Sequence, residues 1–113
     1  MTFGDYLHEL RETKGLRQLD LAKTIGVSTV FICDIEKGRR YPPNLEKLRI
    51  WTGQMNLTHD EAALFYDLAG DARNCPAPDI LAYLSANPAA KSAIRRIMEQ
   101  KIEYDWDMIS PEG

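Results

Sequence analysis

The stretch QLDLAKTIGVSTVFICDIEKGRR, residues 18–40, contains two short helical patterns separated by one glycine. Gly26 supplies a residue that tolerates a positive φ in the turn, Ser28 can cap the second helix, and Gly38 can end it. The inward-facing positions of the two helices are apolar: Leu21, Ala22, Ile25, Val27, Ile32 and Ile35. Two helices that cross steeply through a tight turn need these residue types at these positions. The stretch therefore predicts a helix-turn-helix, with two ordinary amphipathic bundle helices as the alternative.

The rest of the sequence also predicts helices, without a strand pattern or a repeat. Numbered along the chain, helix 1 is expected at about 2–14, helix 4 at about 45–52 and helix 5 at 58–70, with two more at 79–85 and 87–103. Helices 2 and 3 are those of the motif, and helix 3 is its recognition helix. Thr58 and Glu61 form a capping box at the start of the 58–70 helix, Leu64 is expected on its buried face, and Gly70 is expected to stop it. Two prolines within residues 71–78 predict a connection. The prediction is thus an all-α chain.

Charge divides this chain unevenly. The net charge of -3 argues mildly against a nucleic-acid partner, because DNA affinity rests on Lys and Arg. Residues 1–56, however, hold nine Lys/Arg against seven Asp/Glu, whereas residues 57–113 hold five against ten. This division indicates that one half suits DNA while the other half does something else. With the connection predicted at 71–78, the expected organisation is a helix-turn-helix DNA-binding domain over residues 1–70 and a C-terminal helical extension over 71–113.

Composition also excludes several classes of protein. Cys33 and Cys75 are too far apart for a zinc motif or a disulfide framework, and no apolar run approaches the length that crosses a bilayer. His8 and His59 have no nucleophile beside them, and no glycine-rich phosphate loop is present. We expect a cytoplasmic protein without a membrane segment, metal, cofactor or enzymatic activity.

Residues 10–51, LRETKGLRQLDLAKTIGVSTVFICDIEKGRRYPPNLEKLRIW, resemble the XRE-type, lambda-repressor-like helix-turn-helix domain of bacterial and phage regulators. The specific marks are Gln18, Leu21-Ala22, Gly26-Val27-Ser28 and Ile35-Glu36-Lys37-Gly38 before a proline. The segments LFYDLAG and APDILAYLSANP resemble an XRE subgroup frequent in Gram-positive genomes, often in mobile elements. The resemblance implies a five-helix domain that binds double-stranded DNA, often as a homodimer, and regulates transcription.

The resemblance also implies which side chains face DNA bases in the major groove. By position these are Thr29, Val30 and Asp34, with Cys33 close by. Thr29 and Val30 offer methyl contacts to thymine, and Asp34 can accept from a cytosine amino group. None of them is a bidentate reader of guanine or adenine, so DNA shape and phosphate contacts are expected to carry more of the specificity. The alternatives are that Val30 covers the core edge, Asp34 is solvated and Cys33 is a semi-buried filler.

Contacts to the DNA backbone are expected from helix N-termini and from a basic cluster beside the second helix of the motif. The residues in question are Gln18, Ser28, Phe31, Lys37, Arg39, Arg40, Arg17 and Lys23. Phe31 can press on the sugar-phosphate backbone or pack against helix 4, and the charges can simply be solvated. The resemblance further implies an ion pair between Arg11 and Glu36 that ties helix 1 to the recognition helix, for which the planar guanidinium is suited.

The acidic second half leaves two uses open. The apolar face of helix 88–103 must dock on helix 5 of the same chain or of a partner, and we place a homodimer contact on helix 5 and residues 79–103. The tail YDWDMISPEG is either a frayed terminus or a partner anchor through Trp106 and Met108, with Asp105 and Asp107 meeting a basic surface. A homodimer contact in this half predicts a dimeric repressor of prophage or mobile-element type on a palindromic operator. Binding of a protein partner through the acidic half predicts instead an antitoxin that inhibits a partner toxin and regulates its own operon.

Overall fold

The computed structural model describes residues 1–100, and the predicted helix end near Glu103 and the tail hypothesis lie outside this range. The described residues form seven α-helices without a strand, which confirms the all-α prediction. The helices are α1 Phe3–Thr13, α2 Gln18–Ile25, α3 Thr29–Glu36, α4 Leu45–Gln54, α5 His59–Asp71, α6 Pro78–Ala86 and α7 Pro88–Glu99. Over this range the helices are too short and too polar to cross a membrane.

The chain divides into two compact units, Met1–Leu81 and a second that begins at Ala82. In the first unit, α1 packs on α3 and α5, and α2 packs on α3 and α4. Its core contains the apolar side chains Phe3, Tyr6, Leu7, Leu10, Leu21, Ala22, Ile32, Ile35, Leu48, Trp51, Met55, Phe65 and Ala69. The inward positions predicted for the helix-turn-helix thus lie in or against one common core.

Local capping sets the helix starts. Ser28 accepts a hydrogen bond from the Phe31 N–H at 3.3 Å, as the sequence predicts, and Asn44 accepts one from the Lys47 N–H. The capping box of Thr58 and Glu61 is also present. Between α2 and α3 the chain turns at Gly26, whose φ of 72° is the left-handed conformation expected of glycine at this position.

Three local predictions are wrong. Gly70 does not stop α5 but lies buried inside it, where the missing side chain makes room for the Cys75 and Pro76 carbonyl oxygens, each 2.7 Å from where a Cβ would stand. Leu64 is 42% exposed rather than buried, since Phe65 and Ala69 occupy the inward face of α5. The helix predicted to end at residue 52 continues to Gln54, whose amide bonds to α2.

Candidate nucleic-acid interface

The N-terminal end of α3 projects from the first unit. Ile32 and Ile35 on its inner face are fully buried, whereas Ser28 and Thr29 are exposed and Val30 is 65% exposed. The structure therefore does not place Val30 over the core edge. Cys33 and Asp34 are half-buried on the flanks of the same helix. Together these five side chains, Ser28, Thr29, Val30, Cys33 and Asp34, form a surface that we call the α3 ridge.

The ridge is supported from behind by α2, which α4 holds in place. The buried indole N–H of Trp51 donates to the Leu21 carbonyl at 3.1 Å. The Gln54 amide donates to the Asp20 carbonyl at 3.1 Å and accepts from the Thr24 hydroxyl at 2.8 Å. These side-chain hydrogen bonds fix α2 on α4, while α3 packs on α2 beyond the turn.

An ion pair fixes the opposite end of α3. Arg11 of α1 donates to both carboxylate oxygens of Glu36, at 2.8 Å through Nε and 3.1 Å through Nη2. A third donation, from Arg11 Nη1 to the Leu16 carbonyl, spans 3.0 Å. The two side chains are only 11% and 6% exposed. This bidentate geometry provides the link between helix 1 and the recognition helix that the resemblance implies.

Two more side chains join the same carboxylate. The Nδ1 atom of His8 lies 2.8 Å from Glu36, and the Gln18 amide donates to Glu36 at 3.4 Å. We call Glu36, Arg11, His8 and Gln18 the glutamate cluster. Burial acts to raise the pKa of Glu36, but hydrogen bonds from Arg11 and His8 outweigh it and hold this pKa below its ordinary value. The carboxylate therefore stays ionised where α1, α2 and α3 meet.

The basic residues beside the ridge differ in whether a carboxylate of the protein pairs with them. Lys23, Lys37 and Arg39 are exposed, and within residues 1–100 they form no ion pair. Arg17 instead pairs with Asp20 at 2.9 Å, and Asp20 also accepts the Arg17 backbone N–H at 2.8 Å. These hydrogen bonds lower the pKa of Asp20. The charge of Arg17 is therefore partly compensated within the protein.

Arg40 is held against α3. Its guanidinium lies 4.5 Å from the centroid of the Phe31 ring, a cation–π distance. Phe31 is half-buried and packs against the core, so its ring is a platform between the core and Arg40. This contact places a positive charge alongside the recognition helix.

Three residues with roles in this region, His8, Asp20 and Gly4, are not predicted from the sequence. His8 carries no motif signal, because Glu36 lies 28 positions away in the sequence. Asp20 does carry a local signal, since it stands three positions after Arg17 at the start of α2. A Cβ on Gly4 would lie 2.5 Å from the Ile35 carbonyl oxygen and 2.6 Å from that of Glu36. Gly4 thus allows α1 to cross the end of α3 at close range, and a lone glycine inside a predicted helix is the only signal of it.

Comparisons with known proteins support the helix-turn-helix. A family model described as a helix-turn-helix domain matches residues 2–63, which is more than half of the chain. The chain is 37% identical over 92 residues to the HTH-type transcriptional regulator DdrOP3 of Deinococcus deserti. This similarity covers 79% of the chain and 68% of that relative. No solved structure matches the chain.

Proposed function

Because the chain belongs to the helix-turn-helix family of DNA-binding transcriptional regulators, we propose that it is a sequence-specific repressor that binds a palindromic operator as a homodimer. The observation that carries this proposal is the exposure of the α3 ridge beside free basic side chains. A helix presented in this way fits the major groove with its N-terminal end nearest the bases.

Within this proposal the base contacts come from Thr29, Val30 and Asp34, with Cys33 beside them. The Thr29 hydroxyl can bond a base edge, and the exposed Val30 offers methyl groups to thymine. Asp34 is suited to a cytosine amino group and repels phosphate, so it favours only sites where such a base is presented. Because this set contains no bidentate donor, DNA shape contributes a large share of specificity.

Backbone contacts come from the edges of the motif. The Ser28 hydroxyl accepts from the Phe31 N–H and retains its own proton to donate to a phosphate. The Gln18 amide is turned toward Glu36, so at the start of α2 the free backbone N–H groups are the better anion donors. The charged contacts are assigned to Lys23, Lys37, Arg39, Arg40 and, more weakly, Arg17.

The homodimer follows from the operator geometry. Two copies that read half-sites one helical turn apart need a two-fold axis between them, at a spacing of about 34 Å. We assign the subunit contact to α5 and residues 79–103. Apolar side chains are exposed on this part of the chain, among them Leu64, Ile80 and Met98. Burying them between subunits would remove apolar surface from water.

The direct test selects bound fragments from random duplex DNA and then measures affinity for the selected site against salt concentration. Arg39→Ala/Arg40→Ala weakens binding about uniformly across sequences and reduces the slope of log K against log salt by about 1 to 2. Arg49→Ala removes one exposed arginine of α4 outside the assigned set and keeps the parental slope. Equal slopes for the double variant and the parent would show that Arg39 and Arg40 do not meet phosphates.

The same exposed side chains favour a second candidate. Ile80 and Tyr83 are exposed on α6, which carries Asp79 and neither Lys nor Arg, and residues 57–113 as a whole hold ten Asp/Glu against five Lys/Arg, which suits a basic protein partner. In this alternative the protein is an antitoxin that inhibits a toxin and represses its own operon. Light scattering of the purified chain and the neighbouring reading frame separate the two. A stable dimer favours the first, whereas a monomer that neutralises a small basic toxin encoded alongside favours the second.

A further inference from the structure

The segment that connects α3 to α4 carries much of the proposed DNA-binding charge but little hydrogen bonding of its own. We call residues 39–43 the basic linker. The Arg39 N–H donates to the Asp34 carbonyl at 2.8 Å. Pro42 and Pro43 have no N–H, and among the described residues the N–H groups of Arg40 and Tyr41 have no hydrogen-bond acceptor. The backbone of the linker therefore depends on contacts from elsewhere for its position.

Arg73 supplies such a contact. Its Nη2 donates to the Pro42 carbonyl at 2.9 Å, and its guanidinium lies 4.8 Å from the centroid of the Tyr41 ring. The Arg73 backbone is itself fixed, because its N–H donates to the Gly70 carbonyl at 2.9 Å. One side chain thus holds both the backbone and a ring of the linker.

The linker is consequently held at three points, one of which is Pro42, a buried residue. Arg40 lies over Phe31 of α3, and Tyr41 lies under Arg73 beyond the end of α5. The family match ends at residue 63, so Arg73 belongs to a part of the chain outside the matched domain. Arg73 nevertheless contacts the basic linker, which carries Arg39 and Arg40.

We propose that Arg73 is a positioning residue for DNA binding, which holds the basic linker in the conformation that presents Arg39 and Arg40 beside the α3 ridge. The inference rests on the proposed function. Without Arg73 the linker samples more conformations, and ordering it on DNA costs conformational entropy that the parent has already lost. The effect is therefore a loss of affinity without the loss of a phosphate contact.

The experiment compares the full-length parent with Arg73→Ala and Arg73→Lys, using the duplex obtained by selection. Arg73→Ala lowers affinity by about three- to tenfold, as expected from ordering one or two long side chains. The slope of log K against log salt stays at the parental value. Arg73→Lys behaves like Arg73→Ala, because an ammonium group lacks the planar fork that stacks and donates together. Arg49→Ala, which removes the same charge without contacting the linker, binds like the parent.

A second readout needs no DNA. Limited trypsin cleavage after Arg40, quantified by mass spectrometry, becomes faster in Arg73→Ala and in Tyr41→Ala but not in Arg49→Ala. Tyr41 is exposed, so its loss removes the ring contact without opening the core. Thermal melts of the variants identify any substitution that unfolds the chain, in which case Tyr41→Ala carries the test.

Two results overturn the inference. A slope that falls by about one in Arg73→Ala and is restored by Arg73→Lys shows that Arg73 contacts a phosphate directly. Unchanged affinity together with unchanged cleavage after Arg40 shows that the linker does not need Arg73. If the parent itself binds no selected duplex, the proposed function fails, whereas a failure of the inference alone leaves parental binding intact.

Discussion

Removing Glu36 tests whether the glutamate cluster holds the helix-turn-helix together. Glu36→Ala takes away the acceptor of two Arg11 donations, at 2.8 and 3.1 Å, and the partner of His8. Arg11 keeps its bond to the Leu16 carbonyl but is left with a side chain only 11% exposed. The variant therefore leaves a guanidinium charge that is poorly hydrated and has lost its carboxylate partner.

The size of the effect follows from this burial. Breaking a buried ion pair by removing one partner costs about 3–5 kcal/mol, and partial access to water lowers this for Arg11 to about 2–3 kcal/mol. For a domain of this size such a loss lowers the midpoint of thermal unfolding by about 10–20 °C. Glu12→Gln is the matched control, since Glu12 also contacts His8 but is 62% exposed. It is expected to cost under about 1 kcal/mol.

Far-UV circular dichroism during heating and urea titration measures both variants against the parent. A Glu36→Ala variant that melts within a few degrees of Glu12→Gln refutes the argument. The double variant Arg11→Met/Glu36→Leu adds a second condition, because replacing both charges with apolar groups leaves no buried charge without its partner. It is expected to be more stable than Glu36→Ala, and equal or lower stability would show that desolvated charge is not the cause.

Three further predictions concern pH, packing and DNA. Burial raises the pKa of Glu36, but the hydrogen bonds with Arg11 and His8 outweigh it, so folding lowers this pKa. The ionised carboxylate therefore stabilises the fold at pH values above the ordinary glutamate pKa, and this stabilisation is lost as the pH falls through the lowered pKa of the folded state. The gap in unfolding free energy between the parent and Glu36→Gln, measured by urea titration, therefore narrows below about pH 4.5. Gly4→Ala costs about 1–3 kcal/mol in the same titration because its Cβ meets two α3 carbonyls, whereas Gly53→Ala, with open space around it, gains up to about 1 kcal/mol. Val30→Ala leaves the melting temperature and the salt slope unchanged and weakens binding to the selected site, as gel-shift titration would measure; unaltered affinity would remove Val30 from the base contacts.

Local chemistry made the helices predictable. Ser28, Asn44 and Thr58 cap through bonds to residues three positions along the chain, so a short window of sequence contains the whole interaction. Gly26 likewise needs its positive φ for a turn defined by its neighbours. The apolar positions of α2 and α3 were predictable for the same reason, because helical periodicity sets which positions share a face.

The role of a glycine is harder to predict from local sequence. Gly26 and Gly70 both follow an apolar helical pattern, yet the first ends a helix while the second admits the Cys75 and Pro76 carbonyls to its surface. The residue type is the same, and only tertiary packing distinguishes a need for positive φ from a need for space. Gly4 belongs to the second kind, against the end of α3.

In the proposed DNA interface, too, some features could be predicted from the sequence, whereas others depend on tertiary packing. Exposure of the α3 ridge follows from periodicity, and the Arg11–Glu36 contact is implied by the family resemblance. The partners His8 and Arg73 follow from neither, because each meets its contact across about 30 positions of sequence, His8 at Glu36 and Arg73 at Pro42. Such contacts exist only once α1, α3 and the segment after α5 have packed. A substitution at Arg73 consequently alters the proposed DNA surface through the fold, and this is why affinity and salt slope should separate in that variant.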